Sequence, residues 1–421
     1  LVLFFKQELL PVLLCALVSS GPVSAREVDT PALAGPGKFA AGVTTLELGA
    51  RHLSIRVWYP ARAGGATVTY RATMAGPDEK KVALSIAGTA VADAAPVAGR
   101  FPLVVLAHGY GNNAEVMAWL GENLATKGYV VAAPTFGDPA GFDTAKLGEV
   151  IAHRPLDIAF VAAEAARRAR AGQAPFAHAD AGRVALIGYS MGGYGVLTAA
   201  GAALEPALGQ ATAGMLAPYV AGAAQASALQ VADVRAVVAI SPPFRLGQLT
   251  MWSPAGLAGI HVPTFLVGGS QDHIVGYDPG IRTIFGSETK APRYLLTFLE
   301  AGHNIGLSGA PAEMQSRLWD KDWFEDPVWR KSRLMGIEAH FITAFLDRYV
   351  KDDTAKAAYI DGLVPHSDDG TWADAPPPYD AVSPGPPAAT LWKGFQPAHA
   401  AGMTLEFRPP AMPPPAPARA Q

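Results

Sequence analysis

The sequence predicts an α/β fold: a mostly parallel central sheet of about eight strands flanked by helices. Three observations carry this. Runs of strand length made mostly of apolar residues recur at 103–107, 184–187, 234–240, 264–267 and 294–299, the first of them unbroken, the pattern of strands buried on both faces of a parallel sheet. Segments of helical period alternate with them, so strand, helix and strand follow one another as right-handed crossover units. Several runs stop at short loops that carry Ser, Asp or His, residue types suited to the carboxyl ends of strands, where open α/β sheets place their sites.

The elements follow in order. Residues 1–25 read as a signal peptide: Lys6 precedes an apolar run over 9–18, and Val23-Ser24-Ala25 supplies the small residues a signal peptidase requires. The expected product is a secreted or periplasmic chain starting near Arg26, with no stable membrane anchor, because the run is short for a span and Leu14 before Cys15 does not suit lipid attachment. The main domain is expected over 26–364. Residues 43–48 and 54–59 form an antiparallel pair about Gly49-Ala50-Arg51, closed by Pro60. Residues 61–100 turn to Ala, Gly and Thr and read as a surface excursion with a short helix near 80–87.

The 103–107 strand ends in His108-Gly109-Tyr110-Gly111, after which a helix over 114–127, stopped by Gly128, leads to a strand at 129–133. A helix over 156–170 with a basic end leads into the 184–187 strand. Residues 202–230 read as a small helical cap or an extended helical hairpin. A final helix over 329–350 sets Ile337, Phe341, Phe345 and Leu346 on one stripe. The extension over 365–421, rich in Pro, Gly and Ala, is expected to be largely irregular with a disordered end, Leu391-Trp392 and Leu405-Glu406-Phe407 being its docking stretches.

Composition narrows the function. Across 421 residues, half of them hydrophobic, the net charge is −3 with no basic cluster, which argues against a nucleic-acid or anionic-membrane surface. The single cysteine, Cys15, lies in the signal stretch, so the mature chain has no disulfide, thiolate metal site or thiol nucleophile. There is no H-E-x-x-H and no His and Asp cluster of ligand spacing, so neither a metal nor a cofactor is expected.

The chemistry centres on Gly188-Tyr189-Ser190-Met191-Gly192-Gly193, which reads as strand, sharp turn and helix. Glycines flank the serine because larger side chains would collide in so tight a bend. A serine hydroxyl is a poor nucleophile at neutral pH and needs an imidazole to take its proton and a carboxylate to hold that imidazole. Asp272 and His303 each follow the end of a predicted strand on the same sheet edge, and the order Ser190, Asp272, His303 is that of an α/β-hydrolase triad. The backbone N–H groups of Met191 and Tyr110 are the candidate oxyanion donors, with His108 supporting their loop. Tyr110, Tyr194, Trp252 and Ile274 are candidates for the substrate-binding wall.

These stretches, with Arg56-Val57-Trp58-Tyr59-Pro60, His153-Arg154-Pro155-Leu156-Asp157, Trp252-Ser253-Pro254, Gly269-Ser270-Gln271-Asp272 and Gly302-His303, resemble the α/β-hydrolase superfamily. Within it the chain is similar to exported serine esterases of dienelactone-hydrolase-like or platelet-activating-factor acetylhydrolase-like type. The resemblance spans residues 50–350 and implies hydrolysis of a small-molecule ester through a Ser190 acyl-enzyme. Dienelactone hydrolases proper use a cysteine nucleophile, absent here, so their chemistry does not carry over. The Tyr110 and Met191 pair also resembles the oxyanion hole of cutinase-like polyester hydrolases. A neutral or lipid-like ester is the expected substrate; a serine peptidase on short peptides, a polyester hydrolase and a non-catalytic binding protein are the alternatives.

Overall fold

The apolar runs pair edge to edge into one sheet of eleven strands in the computed structural model, which describes residues 30–75, 81–139, 144–371, 390–396 and 399–411. The strands are β1 (Ala40–Leu48), β2 (Leu53–Ala61), β3 (Thr67–Ala75), β4 (Lys81–Ala92), β5 (Phe101–Ala107), β6 (Val130–Thr135), β7 (Ala179–Tyr189) and β8 (Val234–Ile240). After them come β9 (Arg245–Leu246) and β10 (Leu249–Thr250), which pair only with each other, then β11 (Thr264–Gly269), β12 (Arg293–Phe298) and β13 (Met403–Arg408). The large sheet runs β13-β12-β11-β8-β7-β5-β6-β2-β1-β4-β3. From β12 to β6 every neighbour is parallel, while β13 and β2 close this block antiparallel on either side.

Helices cover both faces: α1 (Ala118–Thr126), α2 (Leu147–Arg170), α3 (Met191–Ala199), α4 (Ala207–Ala211), α5 (Pro254–Leu257), α6 (Arg282–Ser287), α7 (Leu318–Asp322) and α8 (Lys331–Tyr349). Strand side chains alternate between the two layers with period two. Val104, Ile187, Val238 and Phe265 meet α1 and α8 on one face; Val105, Leu186, Val237 and Leu266 meet α2 and α3 on the other. Both layers are apolar, which is why the central strands read as continuous hydrophobic runs. None of the helices among the described residues is long and apolar enough to cross a membrane.

Three expectations need correction. The sheet has eleven strands rather than about eight, because both ends of the chain's body contribute edges. Residues 81–87 form part of β4 rather than a helix, and the surface stretch carries β3 and β4 as an antiparallel pair at the edge of the sheet. Residues 81–87 pair with 69–75 of β3, and the pair is tied to α1, where Glu122 accepts the N–H groups of Thr89 and Ala90, each at 3.0 Å, and the Tyr70 hydroxyl at 2.6 Å, with Trp58 donating to that hydroxyl at 2.7 Å. Helix α2 starts at Leu147 and runs through Pro155, since its buried face continues from Ile151 to Ile158 without a break.

In the extension, the described parts around Leu391-Trp392 and Leu405-Glu406-Phe407 pack on the body. Strand β13 pairs along all six residues with β12, and Trp392 is fully buried against Phe341 and Phe395, its indole N–H donating to the carbonyl of Val364 at 2.8 Å. Residues 1–25, expected to be a signal peptide, and residues 412–421 lie outside the described residues. Residues 202–230 hold α4 and a series of turns, pinned where Leu204 bridges to Trp252.

Candidate active site

Ser190 occupies the turn between β7 and α3 with φ 51° and ψ −119°, a conformation that L-residues adopt only under strain. Its N–H donates to Ile240 O at the end of β8 at 2.8 Å and its carbonyl accepts from Tyr194 N at 3.1 Å, so the neighbouring strand and α3 hold the bend. A Cβ on Gly188 would overlap the backbone of Gly192, and one on Gly192 would overlap the carbonyl of Ala107. The first turn of α3 therefore lies directly against the end of β5, and only glycine allows it.

Asp272 and His303 meet Ser190 at this rim. Asp272 follows β11; its Oδ1 accepts the N–H groups of Ile274 at 3.0 Å and Val275 at 3.1 Å, and its Oδ2 lies 2.8 Å from His303 Nδ1. His303 Nε2 is 3.0 Å from Ser190 Oγ. With Nδ1–H directed at the carboxylate, Nε2 keeps its lone pair for the serine hydroxyl. Burial alone would raise the Asp272 carboxyl, but the His303 hydrogen bond and charge and the two backbone N–H groups outweigh it and hold the group below the ordinary carboxylate range. Asp272 thus stays a carboxylate in a nearly closed site. The Tyr189 ring packs 5.3 Å from the imidazole, and a Cβ on Gly306 would meet that ring at 2.8 Å.

The loop after β5 is fixed by two buried devices. His108 accepts the N–H of Phe136 on Nε2 at 2.9 Å and therefore donates from Nδ1 to Gly109 O at 2.6 Å. Burial and the Arg154 charge push its pKa down to about 3, so it is a neutral brace. Asp138, just past β6, accepts the N–H of Gly111 at 2.9 Å and pairs with Arg154 at 2.7 Å, while the Arg154 guanidinium lies 3.8 Å over the Phe136 ring. The loop holding Tyr110 is thereby set beside the helix that Met191 opens, whose first N–H groups have no partner within the helix.

Two candidate substrate contacts are corrected. Tyr194 and Trp252 are fully buried, with ring centroids 5.5 Å apart; the Tyr194 hydroxyl donates to Ile151 O at 3.2 Å and the Trp252 indole to Thr198 Oγ1 at 3.2 Å. Both belong to the core under α3 and present no surface to a ligand. Tyr110 is half-buried, and Ile274, two residues past Asp272, is 72% exposed. Sequence reasoning overlooked Asp138, Asp326 and Lys331, which hold the loops of the site. Only Asp138 carried a signal, its place just after a strand at the same sheet edge. Among the described residues no group of three or more His, Cys, Asp or Glu could hold a metal.

Residues 85–221 match the PETase family, described as PET hydrolase-like. The matched stretch carries the 108–111 loop and the Ser190 turn and stops before Asp272 and His303. No curated protein matches the chain.

Proposed function

We propose that the protein is a serine-dependent carboxylic-ester hydrolase acting on neutral or lipid-like esters. The observation that carries this reading is the unbroken path from Asp272 Oδ2 to His303 Nδ1 at 2.8 Å and from His303 Nε2 to Ser190 Oγ at 3.0 Å. Ser190 attacks the ester carbonyl while Nε2 takes its proton, and Asp272 stabilises the imidazolium that forms. The carbonyl oxygen, now negative, is received by the N–H groups of Met191 and Tyr110, each worth on the order of 10²–10³ in rate. His303 returns the proton to the leaving alcohol, then activates a water that releases the acid from Ser190. The similarity of residues 85–221 to PET hydrolase-like proteins supports an ester rather than a peptide bond.

The same match favours a second reading in which the ester belongs to a polymer. Ile274, exposed beside Asp272, would then rest on the polymer surface. Export is part of the proposal, supported by the charged, apolar and small-residue segments within residues 1–25.

The test is hydrolysis of p-nitrophenyl esters of graded acyl length, with Ser190→Ala and a fluorophosphonate probe alongside. We expect burst release, a preference for short to medium chains, and labelling that disappears in the variant. A fully active Ser190→Ala protein would overturn the assignment. On amorphous polyester film, Ile274→Ser should reduce product release while leaving p-nitrophenyl acetate turnover unchanged; equal loss on both would remove the polymer reading.

A further inference from the structure

His303 sits on a loop, yet its two hydrogen bonds require placement to within about half an ångström. The peptide groups on either side of it are held by one short segment. Asp326 Oδ2 accepts the N–H of Gly302 at 2.8 Å, and Lys331 Nζ donates to the carbonyl of Asn304 at 2.5 Å. Neither holder is free to wander. Asp326 Oδ1 accepts the N–H groups of Val328 at 2.9 Å and Trp329 at 2.8 Å, and the Trp329 indole donates to Leu299 O at 2.7 Å while its ring packs on Phe298. On the third side the Tyr189 hydroxyl lies 3.1 Å from Asn304 Oδ1 and 3.3 Å from His303 O.

We propose that Asp326 and Lys331 are positioning residues: they grip the backbone before and after His303 and so keep its imidazole aligned between Asp272 and Ser190. The inference rests on the hydrolase reading and deepens it. Lys331 is only 8% exposed, and burying an ammonium beside a carbonyl costs more than filling the same space with a methionine. Burial lowers its pKa, while Glu338, Glu325 and Asp326 favour the charged form. A hydrocarbon of equal volume would preserve the packing of α8 and release Asn304. Beside its attraction to the buried Glu338, the charge then contributes the alignment of the imidazole.

The experiment uses the full chain and compares Lys331→Met, Lys331→Arg and Asp326→Asn with the wild type. Each is measured for kcat and KM on p-nitrophenyl acetate, for the rate of fluorophosphonate labelling, and for melting temperature, with rates expressed per folded molecule. We expect Lys331→Met and Asp326→Asn to lose about ten- to a hundredfold in kcat and labelling rate with KM unchanged, and Lys331→Arg to recover most of it. Wild-type rates per folded molecule in Asp326→Asn and Lys331→Met, with only the melting temperature lowered, would overturn the proposal. Should Lys331→Met fail to fold, Asp326→Asn and Lys331→Arg decide it: normal rates in the first, or an Arg variant as slow as the Asn one, would overturn it. A wild type that is never labelled at Ser190 overturns the hydrolase reading itself, an outcome distinct from labelled variants of equal speed.

Discussion

Asp138 and Arg154 form a buried ion pair with 2.7 Å between Oδ2 and Nη2, and the same oxygen receives the N–H of Gly111, one residue past Tyr110. A salt bridge on the face of α2 thus decides where the loop after β5 can stand.

Asp138→Ala should be among the most damaging single changes outside Ser190, Asp272 and His303. It strands a buried guanidinium, at a cost of about 3–5 kcal/mol, and frees Gly111. Chemical denaturation should show the stability loss, and kcat should fall further than the unfolded fraction explains. A loss of stability with normal kcat per folded molecule would mean the loop does not need the pair.

Asp272→Asn should keep the fold but lower kcat by roughly 10⁴, because an amide can donate to Nδ1 and favour the wrong imidazole tautomer. Turnover of p-nitrophenyl acetate measures it, and an unchanged melting curve distinguishes it from misfolding.

Two glycines near the site should respond differently to alanine. Gly111 has φ +66° and nothing within 4 Å of its added Cβ, so Gly111→Ala should fold with a loss of about 1–2 kcal/mol. At Gly192 the added carbon overlaps the backbone of Ala107, so Gly192→Ala should separate α3 from β5 and abolish labelling of Ser190. Soluble expression and probe labelling of the two variants provide the comparison.

Glu288, at the end of α6, gives a pH-dependent stability with a definite sign. Burial pushes its carboxyl from 4.5 up to about 8, only partly offset by Thr264 and Arg293. An acid that holds its proton more tightly when folded stabilises the fold below its unfolded value, and that contribution is lost as pH rises from 4.5 to about 8. Glu288→Gln should remove the loss, so its advantage over the wild type should grow across this window by at most about 1.4 kcal/mol per pH unit. Melting curves at several pH values test it; a constant difference would show that Glu288 does not titrate there.

Trp392 joins the extension to the body. Trp392→Ala should cost about 3–5 kcal/mol, and a chain ended before residue 390 should lose β13 and expose the β12 edge to aggregation. Light scattering during thermal unfolding would reveal this.

Local sterics and composition made part of this protein legible without coordinates. The run at 234–240 reads as a strand because a segment buried on both faces must be apolar, as it is from Ala236 to Ile240, and it forms β8 over the same residues. The glycines around Ser190 announce a tight turn because no other side chain fits. Residues 81–92 gave no such notice, since their strand is half-exposed at the sheet edge and the carboxylate that holds Thr89 and Ala90 comes from Glu122 of α1, some thirty positions further on.

By itself, then, the sequence determined the α/β class and the buried central strands, and it marked Ser190, Asp272 and His303 as candidates from the short patterns at the ends of their strands. Only the tertiary structure decided that Tyr194 and Trp252 go to the core, that β13 closes the sheet, and that Asp138, Asp326 and Lys331 hold the loops of the site. Those outcomes depend on partners brought together by folding across tens or hundreds of residues, and no local pattern records which partner a side chain will meet.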